Sequence, residues 1–290
     1  MGVTQPVRVA VVQMDVAMGR IEANLQRVLE RLVEARHSGA RLVVFPECAL
    51  SGYCFASAEA ARPYALPATQ TDHAGLAKPL QGGPLAAFAE ACSSSGIVGV
   101  LGFLEAGASG SLFNSALVAG NGLVRPLVYR KTHLPLLGVD RFVVRGDDLP
   151  VFETGIARIG VLICYDVRLP EPARVLTLRG ADVLALPTNW PDGAETAPEY
   201  VLRARARENR IYVVAANRVG AEEGSRFIGR SQIVAPDGSV LAWAGAEEEI
   251  ILADIDPCVA RTKRVVIRPG EFEQDTVGDR RPELYGDLAR

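Results

Sequence analysis

Three residues whose side chains could act together in catalysis come at or near the end of apolar segments. Glu47 follows LVVFP, Lys131 follows LVYR, and Cys164 stands in IGVLICYD. Strand ends of an α/β sheet are where ligands bind and where nucleophiles are presented. If the three segments are neighbouring strands, a carboxylate, an ammonium group and a thiol meet at one edge of the sheet.

This combination suits nucleophilic catalysis. A free cysteine has a pKa of about 8.5, so it needs a nearby base or a nearby cation to react as a thiolate. Glu47 could accept the proton of Cys164, pass it to a leaving amine, and then activate water. Lys131 would offset the negative charge of a tetrahedral oxyanion, together with the backbone N–H of Tyr165.

Simpler interpretations exist for each residue. A cysteine in an apolar strand is usually a small buried hydrophobe, and a glutamate or lysine at a strand end is usually solvated. We interpret the other four cysteines as packing residues, although Cys48, next to Glu47, is a rival nucleophile; they are Cys48, Cys54, Cys92 and Cys258.

Motifs for other chemistries are missing. The sequence has no complete G-x-S-x-G, no H-E-x-x-H, no P-loop and no zinc-type spacing of cysteine and histidine. Only His37, His73 and His133 are available for a histidine-based triad, and His37 ends an amphipathic helix. A histidine-based catalytic triad therefore has few candidate residues.

Composition limits the class of protein. The 290 residues are 49% apolar and 22% charged, so the apolar residues suffice for a large core. The net charge is −3, and the sequence contains no block of five like charges. This argues against a nucleic-acid or membrane partner, and no run of 18 apolar residues exists. Five cysteines without a C-x-x-C pair, and an N-terminus unlike a secretory signal, lead us to expect a cytoplasmic protein.

The pattern of elements predicts an α/β fold. A β-branched run at Val7–Met14 is followed by an apolar helical stripe (Ile21, Leu25, Val28, Leu29 and Leu32) and a second strand at 42–45. Further strands are predicted at 97–104, 115–118, 124–130, 158–165, 183–186, 213–216, 231–234, 239–243 and 250–255, and helices at 84–92, 172–178 and 198–209. Residues 56–83 form the least regular stretch.

We predict a single domain over residues 1–260. Residues 261–290 mix acidic with basic residues and contain few apolar ones, so they form a C-terminal extension that packs on the surface or on a partner subunit. A frayed tail is the alternative.

Three segments identify a family. LVVFPE (42–47), YRKTHL (129–134) and ICYDVRLPE (163–171) resemble, in the same order, the three signature blocks of the nitrilase superfamily of carbon–nitrogen hydrolases. The resemblance continues through GADVLALPTNWP (180–191), RARENRIYVVAANRVG (205–220) and GRSQIVAPDG (229–238).

The resemblance implies that Cys164 is the nucleophile, Glu47 the general base and Lys131 the oxyanion stabiliser. It also implies a four-layer α-β-β-α sandwich, a homodimer or higher homo-oligomer, and catalysis without a metal or cofactor. The family commonly has a second glutamate in the loop after the lysine. Here Asp140 is the nearest carboxylate, which either takes that role, pairs with Arg141 or caps a turn.

The motif CYDVRLPE looks more like amidase branches than like nitrilases proper. We therefore expect hydrolysis of a small linear amide to carboxylate and ammonia, with an N-carbamoyl amino acid hydrolase, a nitrilase and a non-catalytic scaffold as alternatives. Arg168 either orients a substrate carboxylate or, as we favour, pairs with Glu171. Other residues on loops beside the motifs either line the pocket or are ordinary packing residues, and we favour a lining role for Trp190 alone: Tyr53, Phe55, Phe142, Asn189 and Trp190.

Overall fold

The protein is described by a computed structural model that covers residues 6–68, 70–71, 77–78, 80 and 82–289. His73 and part of the irregular stretch 56–83 lie outside these residues. None of the helices in the described ranges is long and apolar enough to cross a membrane.

The described chain alternates strands and helices. Its first half contains, in order, β1 (Val7–Gln13), α1 (Ile21–His37), β2 (Leu42–Val44), α2 (Ala58–Ala61), β3 (Gln70–Thr71), β4 (Ala77–Lys78), α3 (Gly83–Ser95), β5 (Val98–Ala106), β6 (Leu112–Gly120) and β7 (Leu127–Arg130). The second half contains β8 (Val151–Glu153), β9 (Arg158–Val161), α4 (Pro170–Leu178), β10 (Val183–Pro187), α5 (Leu202–Asn209), β11 (Tyr212–Ala216), β12 (Ala221–Glu222), β13 (Ser225–Arg226), β14 (Gln232–Val234), β15 (Val240–Trp243), β16 (Glu249–Ile255), α6 (Pro257–Arg261), β17 (Arg264–Arg268) and β18 (Phe272–Asp275).

Two six-stranded sheets form the centre of the protein. The first has the strand order β16-β1-β2-β5-β6-β7 and the second β15-β14-β11-β10-β9-β8. In each sheet three adjacent strands are parallel, β1-β2-β5 in one and β9-β10-β11 in the other, and the remaining pairs are antiparallel. The predicted parallel neighbours are therefore present at the middle of each sheet.

Strand β1 shows how the layers pack. Val9 and Val11 point into the core between the two sheets, whereas Ala10 and Val12 pack on the other face with residues of α1 and α3. Successive side chains of a strand point to opposite faces, so a strand covered on both sides is apolar at every position. Helices α4 and α5 contribute to the core on the second sheet, which confirms the α-β-β-α sandwich.

Helix α1 differs from its predicted stripe. Val28 and Leu32 are buried as expected, but Leu25 and Leu29 are only half-buried, while Asn24 is fully buried. The Asn24 amide bonds to both backbone groups of Ala17 and to the Leu50 carbonyl. A buried polar side chain is tolerated when its hydrogen bonds are made, and hydrophobic periodicity alone does not detect this.

Two predicted elements each contain a different kind of turn at one end. The strand predicted over 158–165 ends at Val161, since residues 164–168 form a 3₁₀ helix. The helix predicted over 198–209 begins with a π turn at Ala197–Val201 before α5.

The residues after α6 form the β17–β18 hairpin and two 3₁₀ turns. Arg174 of α4 donates to the Thr276 carbonyl, and Arg280, Tyr285 and Leu288 share the lining of a cavity with α4. This segment therefore lies against the outer helices of the second sheet.

Gly102 in β5 provides the space for the turn after β2. A Cβ atom there would lie 2.4 Å from the Pro46 carbonyl oxygen and 2.6 Å from the Glu47 Cα. Gly102→Ala is therefore expected to lower the free energy of unfolding by about 1–3 kcal/mol, as overpacking does, measured by urea denaturation.

Gly155→Ala is the matched control, because its added Cβ would meet its nearest neighbour at 3.5 Å, an ordinary contact. Equal stability of the two variants would contradict the close approach at Gly102.

Candidate active site

The strand directions bring Glu47 and Lys131 to the same edge of the first sheet. β2 and β5 are parallel, β6 is antiparallel to β5, and β7 is antiparallel to β6, so β7 runs in the direction of β2. Glu47 comes three residues after β2, and Lys131 comes directly after β7. The convergence predicted from the sequence is therefore present for these two residues.

Lys131 lies between two carboxylates. Its Nζ donates to Glu47 Oε1 at 2.7 Å and to Asp140 Oδ2 at 2.5 Å. All three side chains are buried, and no other ion pair of the described residues joins one cation to two buried carboxylates in this way. Such a pair is stable in low dielectric only when its geometry and hydrogen bonds are good.

Asp140 belongs to this cluster and does not pair with Arg141. It stands in a 3₁₀ turn, Gly138–Arg141, and also accepts from Tyr53 Oη at 2.7 Å. The Arg141 guanidinium instead donates to backbone carbonyls of Gly138 and Phe55. The expected alternative of an Asp140–Arg141 pair is therefore wrong.

Gly138 explains how a side chain as short as aspartate reaches Lys131. Its φ is +49°, and a Cβ atom there would lie 2.3 Å from the Tyr53 ring. Glycine alone adopts this backbone region without a steric penalty, so the loop can pack directly on the ring. The close approach brings the Asp140 carboxylate within reach of the ammonium.

The charges of the cluster shift one another's pKa values. Burial raises the pKa of Glu47, while Lys131 opposes this and Asp140 adds to it. Burial alone would lower the pKa of Lys131, but Asp140 and Glu47 raise it well above its ordinary value. Lys131 therefore stays an ammonium group at neutral pH.

Cys164 faces this cluster from the second sheet, so the expectation that all three groups meet at the edge of one sheet is wrong for the thiol. It is the first residue of the 3₁₀ helix Cys164–Arg168, its φ is +46°, and 5% of its surface is exposed. Burial raises the pKa of its thiol to about 12; Glu47 adds to the rise, and Lys131, the Thr188 hydroxyl and the Asn189 backbone N–H oppose it. The resting group is therefore a thiol whose proton needs an acceptor.

The backbone N–H of Tyr165 lies in the first turn of the same 3₁₀ helix. N–H groups at the start of a helix have no intrahelical acceptor, so this donor is available beside the sulfur. The Tyr165 side chain is 36% exposed.

Asp166 fixes the nucleophile segment to the lysine segment. Its carboxylate accepts from Tyr129 Oη at 2.7 Å, from the backbone N–H groups of His133 and Ile163 at 2.9 Å each, and from Thr132 Oγ1 at 3.1 Å. The segments on either side of Lys131 and Cys164 are thereby joined across the two sheets. Sequence reasoning placed Asp166 after the cysteine but assigned it no role.

Asn114 is a second residue that sequence reasoning missed. It lies near the start of β6, and its Nδ2 donates to Glu47 Oε1 at 2.6 Å and to Asp140 Oδ1 at 2.8 Å. The only sequence signal is an Asn-Ser pair at the third and fourth positions of an otherwise apolar strand.

The residues expected to line a pocket divide into three groups. Tyr53 is buried and bonds to Asp140, and Phe142 is half-buried against the apolar cluster that contains Tyr53. Asn189 and Trp190 are buried, and neither the Asn189 amide atoms nor Trp190 Nε1 has a hydrogen-bond partner among the described residues.

Arg168 and Phe55 have other contacts. Arg168 Nη1 donates to Thr196 Oγ1 at 3.5 Å. The described residues include no ion pair between Arg168 and Glu171, so the favoured pairing is wrong. Phe55 stacks on Tyr64 with ring centroids 5.3 Å apart.

The rival thiol, Cys48, is also buried and has a φ of +48°. Its Sγ lies 3.8 Å from Asn114 Oδ1. Burial, Glu47 and Asp140 raise its pKa well above the ordinary value for a thiol. Within the described ranges, no group of three or more His, Cys, Asp or Glu side chains is arranged to hold a metal ion.

Lys131→Met is expected to destabilise the protein by about 3–5 kcal/mol at pH 8, because it leaves two buried carboxylates unpaired. Without the ammonium, the pKa of Glu47 rises further above that of the unfolded chain. A raised folded-state pKa contributes stability at low pH that is lost as the pH increases through the folded value, so the loss will be smaller at pH 5. Urea denaturation at both pH values measures this.

Arg8→Met, which removes an exposed pair with Asp254, is the control and should change stability little at either pH. A Lys131→Met variant as stable as the wild type at pH 8 would contradict the placement of Lys131 between two buried carboxylates.

Comparisons with known proteins identify the family. The carbon-nitrogen hydrolase family matches residues 8–264. A nitrilase of Pyrococcus abyssi is 36% identical over 286 residues, which cover 96% of this chain and 99% of the relative. An omega-amidase of Xenopus tropicalis is 34% identical over 263 residues, covering 86% and 88%.

A solved structure is similar throughout. An amidase from Nesterenkonia sp. superposes with a TM-score of 0.76 at 26% identity, covering 97% of this chain and 96% of that one. A variant of that amidase shows acrylamide added to its active-site cysteine. By its family match, its relatives and its four-layer sandwich, this chain belongs to the carbon-nitrogen hydrolases of the nitrilase superfamily.

Proposed function

We propose that the protein hydrolyses a small linear amide to a carboxylate and ammonia through a thioester on Cys164. The observation that carries this proposal is the buried Lys131 ammonium hydrogen-bonded to Glu47, with the Cys164 thiol subject to the charge of both. The amidases among the relatives and the solved structures support an amide substrate.

In the first half-reaction, Cys164 Sγ attacks the carbonyl carbon while Glu47 accepts the thiol proton. Because the pKa of the buried thiol is about 12, proton transfer has to accompany formation of the C–S bond. The oxyanion receives hydrogen bonds from Lys131 and from the Tyr165 N–H. Collapse of the tetrahedral intermediate breaks the C–N bond, and ammonia leaves with the proton from Glu47.

In the second half-reaction, Glu47 removes a proton from water and the resulting hydroxide attacks the thioester carbonyl. The C–S bond breaks, the sulfur regains its proton from Glu47, and the carboxylic acid is released and gives up its own proton to the solvent. One carboxylate thus carries the proton in both directions.

Asp140 takes the place of the second glutamate that the family commonly has, and acts on the reaction through Lys131. It accepts a hydrogen bond from the ammonium, and its carboxylate also accepts from Tyr53 and Asn114. With two carboxylate acceptors fixed, the third N–H of Lys131 is free for the substrate oxygen.

Ammonia release by purified protein from primary amides, N-carbamoyl amino acids and nitriles tests the substrate class. We expect primary amides to be hydrolysed, and Cys164→Ala to lower kcat/KM by at least about 10³-fold because the nucleophile is gone. Cys258→Ala, a thiol on α6 outside the site, is the matched control.

Preferential turnover of nitriles, or of N-carbamoyl amino acids with release of carbon dioxide, would replace the amide assignment. A Cys48→Ser variant without turnover beside an active Cys164→Ala would transfer the nucleophile to Cys48. If no substrate is turned over by the wild type, the scaffold alternative is favoured.

Glu47→Gln tests the base. It should lower turnover by about 10²–10⁴-fold while thermal unfolding shows an intact fold, because general-base assistance is lost in both half-reactions. Intact-mass and peptide-mass analysis with a slow substrate should locate the acyl group on the peptide containing Cys164.

Glu171→Gln changes an exposed carboxylate outside the cluster and serves as the control. Near-normal rates for Glu47→Gln, or an adduct on a different peptide, would remove the residue concerned from the mechanism.

A further inference from the structure

Among the described residues, Asn114 is the one amide side chain that contacts both carboxylates of the site. Its side-chain N–H groups donate to Glu47 and Asp140, and its backbone carbonyl accepts from the backbone N–H of Lys131 at 2.8 Å. The residue is fully buried. Its position is therefore fixed relative to all three charged groups.

The contact with Glu47 leaves one carboxylate oxygen without a donor. Lys131 and Asn114 both bond to Oε1, and Oε2 is buried without a hydrogen-bond partner among the described residues. A carboxylate with one oxygen held by two donors has its other oxygen available to accept a proton. The bonding pattern thus distinguishes the two oxygens of the general base.

Cys48 explains why the amide has this orientation. Carboxylates accept hydrogen bonds and do not donate them, so the Nδ2 side must face Glu47 and Asp140. The Oδ1 side then faces the Cys48 thiol at 3.8 Å. This thiol keeps its proton, since burial and the two nearby carboxylates raise its pKa well above the ordinary value.

A purely structural role does not account for these contacts. Two other buried asparagines, Asn24 and Asn209, donate to backbone carbonyls as residues that satisfy the main chain do, and the further contact of Asn209 with Glu208 Oε1 is long at 3.4 Å. In the described part of the chain, the Asn114 side chain bonds only to ionisable side chains.

We propose that Asn114 is a positioning residue that keeps Glu47 ionised with Oε2 free to accept the nucleophile's proton, and that the Cys48 thiol holds the Asn114 amide in the required orientation. The proposal rests on the amidase mechanism above, in which Glu47 is the base. Neither residue touches the substrate.

The expected consequence is a change in pH dependence. Besides Asn114, the groups that act on Glu47 are Lys131, which favours its ionised form, and Asp140, which disfavours it. The charge of Glu47 in turn affects Cys48, Cys164 and Tyr53. The hydrogen bond from Asn114 lowers the pKa of Glu47, so its loss raises that pKa and moves the acid limb of the activity profile to higher pH.

The experiment measures kcat/KM for a primary amide from pH 5 to 9 in the full-length protein. For Asn114→Ala we expect the acid limb to move up by about one pH unit, the size expected for loss of one hydrogen bond to a charged group. Asn209→Ala is the matched control, which should alter the melting temperature without moving the limb. An unmoved limb in a folded Asn114→Ala would overturn the proposal.

Two variants of Cys48 test whether the thiol orients the Asn114 amide. They also test the positioning role of Asn114 if Asn114→Ala does not fold. Cys48→Ala removes the donor and should move the limb in the same direction by a smaller amount. Cys48→Ser restores a donor and should return the limb to the wild-type position. Identical profiles for Cys48→Ala and the wild type would overturn the role of the thiol.

A second measurement separates this proposal from the proposed function. The rate of alkylation of Cys164 by iodoacetamide, followed by peptide mass, requires removal of the same thiol proton but no hydrolysis. If the wild type hydrolyses no amide, the amidase function fails while the alkylation profile still shows whether Asn114 sets the acid limb. If the wild type hydrolyses amides and both profiles of Asn114→Ala match the wild type, only the positioning role fails.

Discussion

The Lys131 ammonium held between two buried carboxylates is the interaction on which the site depends. Moving charges out of water is costly, and the cost is offset here by short hydrogen bonds at Glu47 and Asp140. The cluster carries one more negative than positive charge, so the neutral donors of Asn114 and Tyr53 are needed to satisfy the remaining lone pairs. Strand ends, a 3₁₀ turn and a strand interior must all be in place before the cluster can form.

The sandwich explains why these groups meet. The sheet that contains β2, β6 and β7 supplies the carboxylate, the amide and the ammonium, and the other sheet supplies the thiol after β9. The Asp166 carboxylate links the two contributions through Tyr129 and the Ile163 N–H. The nucleophile is thus positioned by the packing of one sheet on the other as well as by its own turn.

Much of this arrangement could be predicted because Glu47 and Lys131 are ionisable residues at the ends of apolar strands, and Cys164 follows such a strand closely. Asn114 could not be predicted, since a polar residue at the start of a strand has the same appearance whether it faces water or a buried carboxylate. The Arg168–Glu171 pair was wrong because proximity in sequence does not fix the direction of a long side chain, and Arg168 lies beside Thr196 instead. The apolar run of β1 indicated burial on both faces, but only the sheet packing shows which valines lie between the sheets.

Cys48 and Cys164 both have left-handed backbone conformations, in which glycine would be less strained but would lack the thiol. A residue with a Cβ atom is strained at φ near +47°, and glycine would relieve that strain at either position. A library selected for folding alone would therefore drift towards glycine at both sites. Retention of sulfur under selection for activity would reveal the positions where function, and not folding, chooses the amino acid.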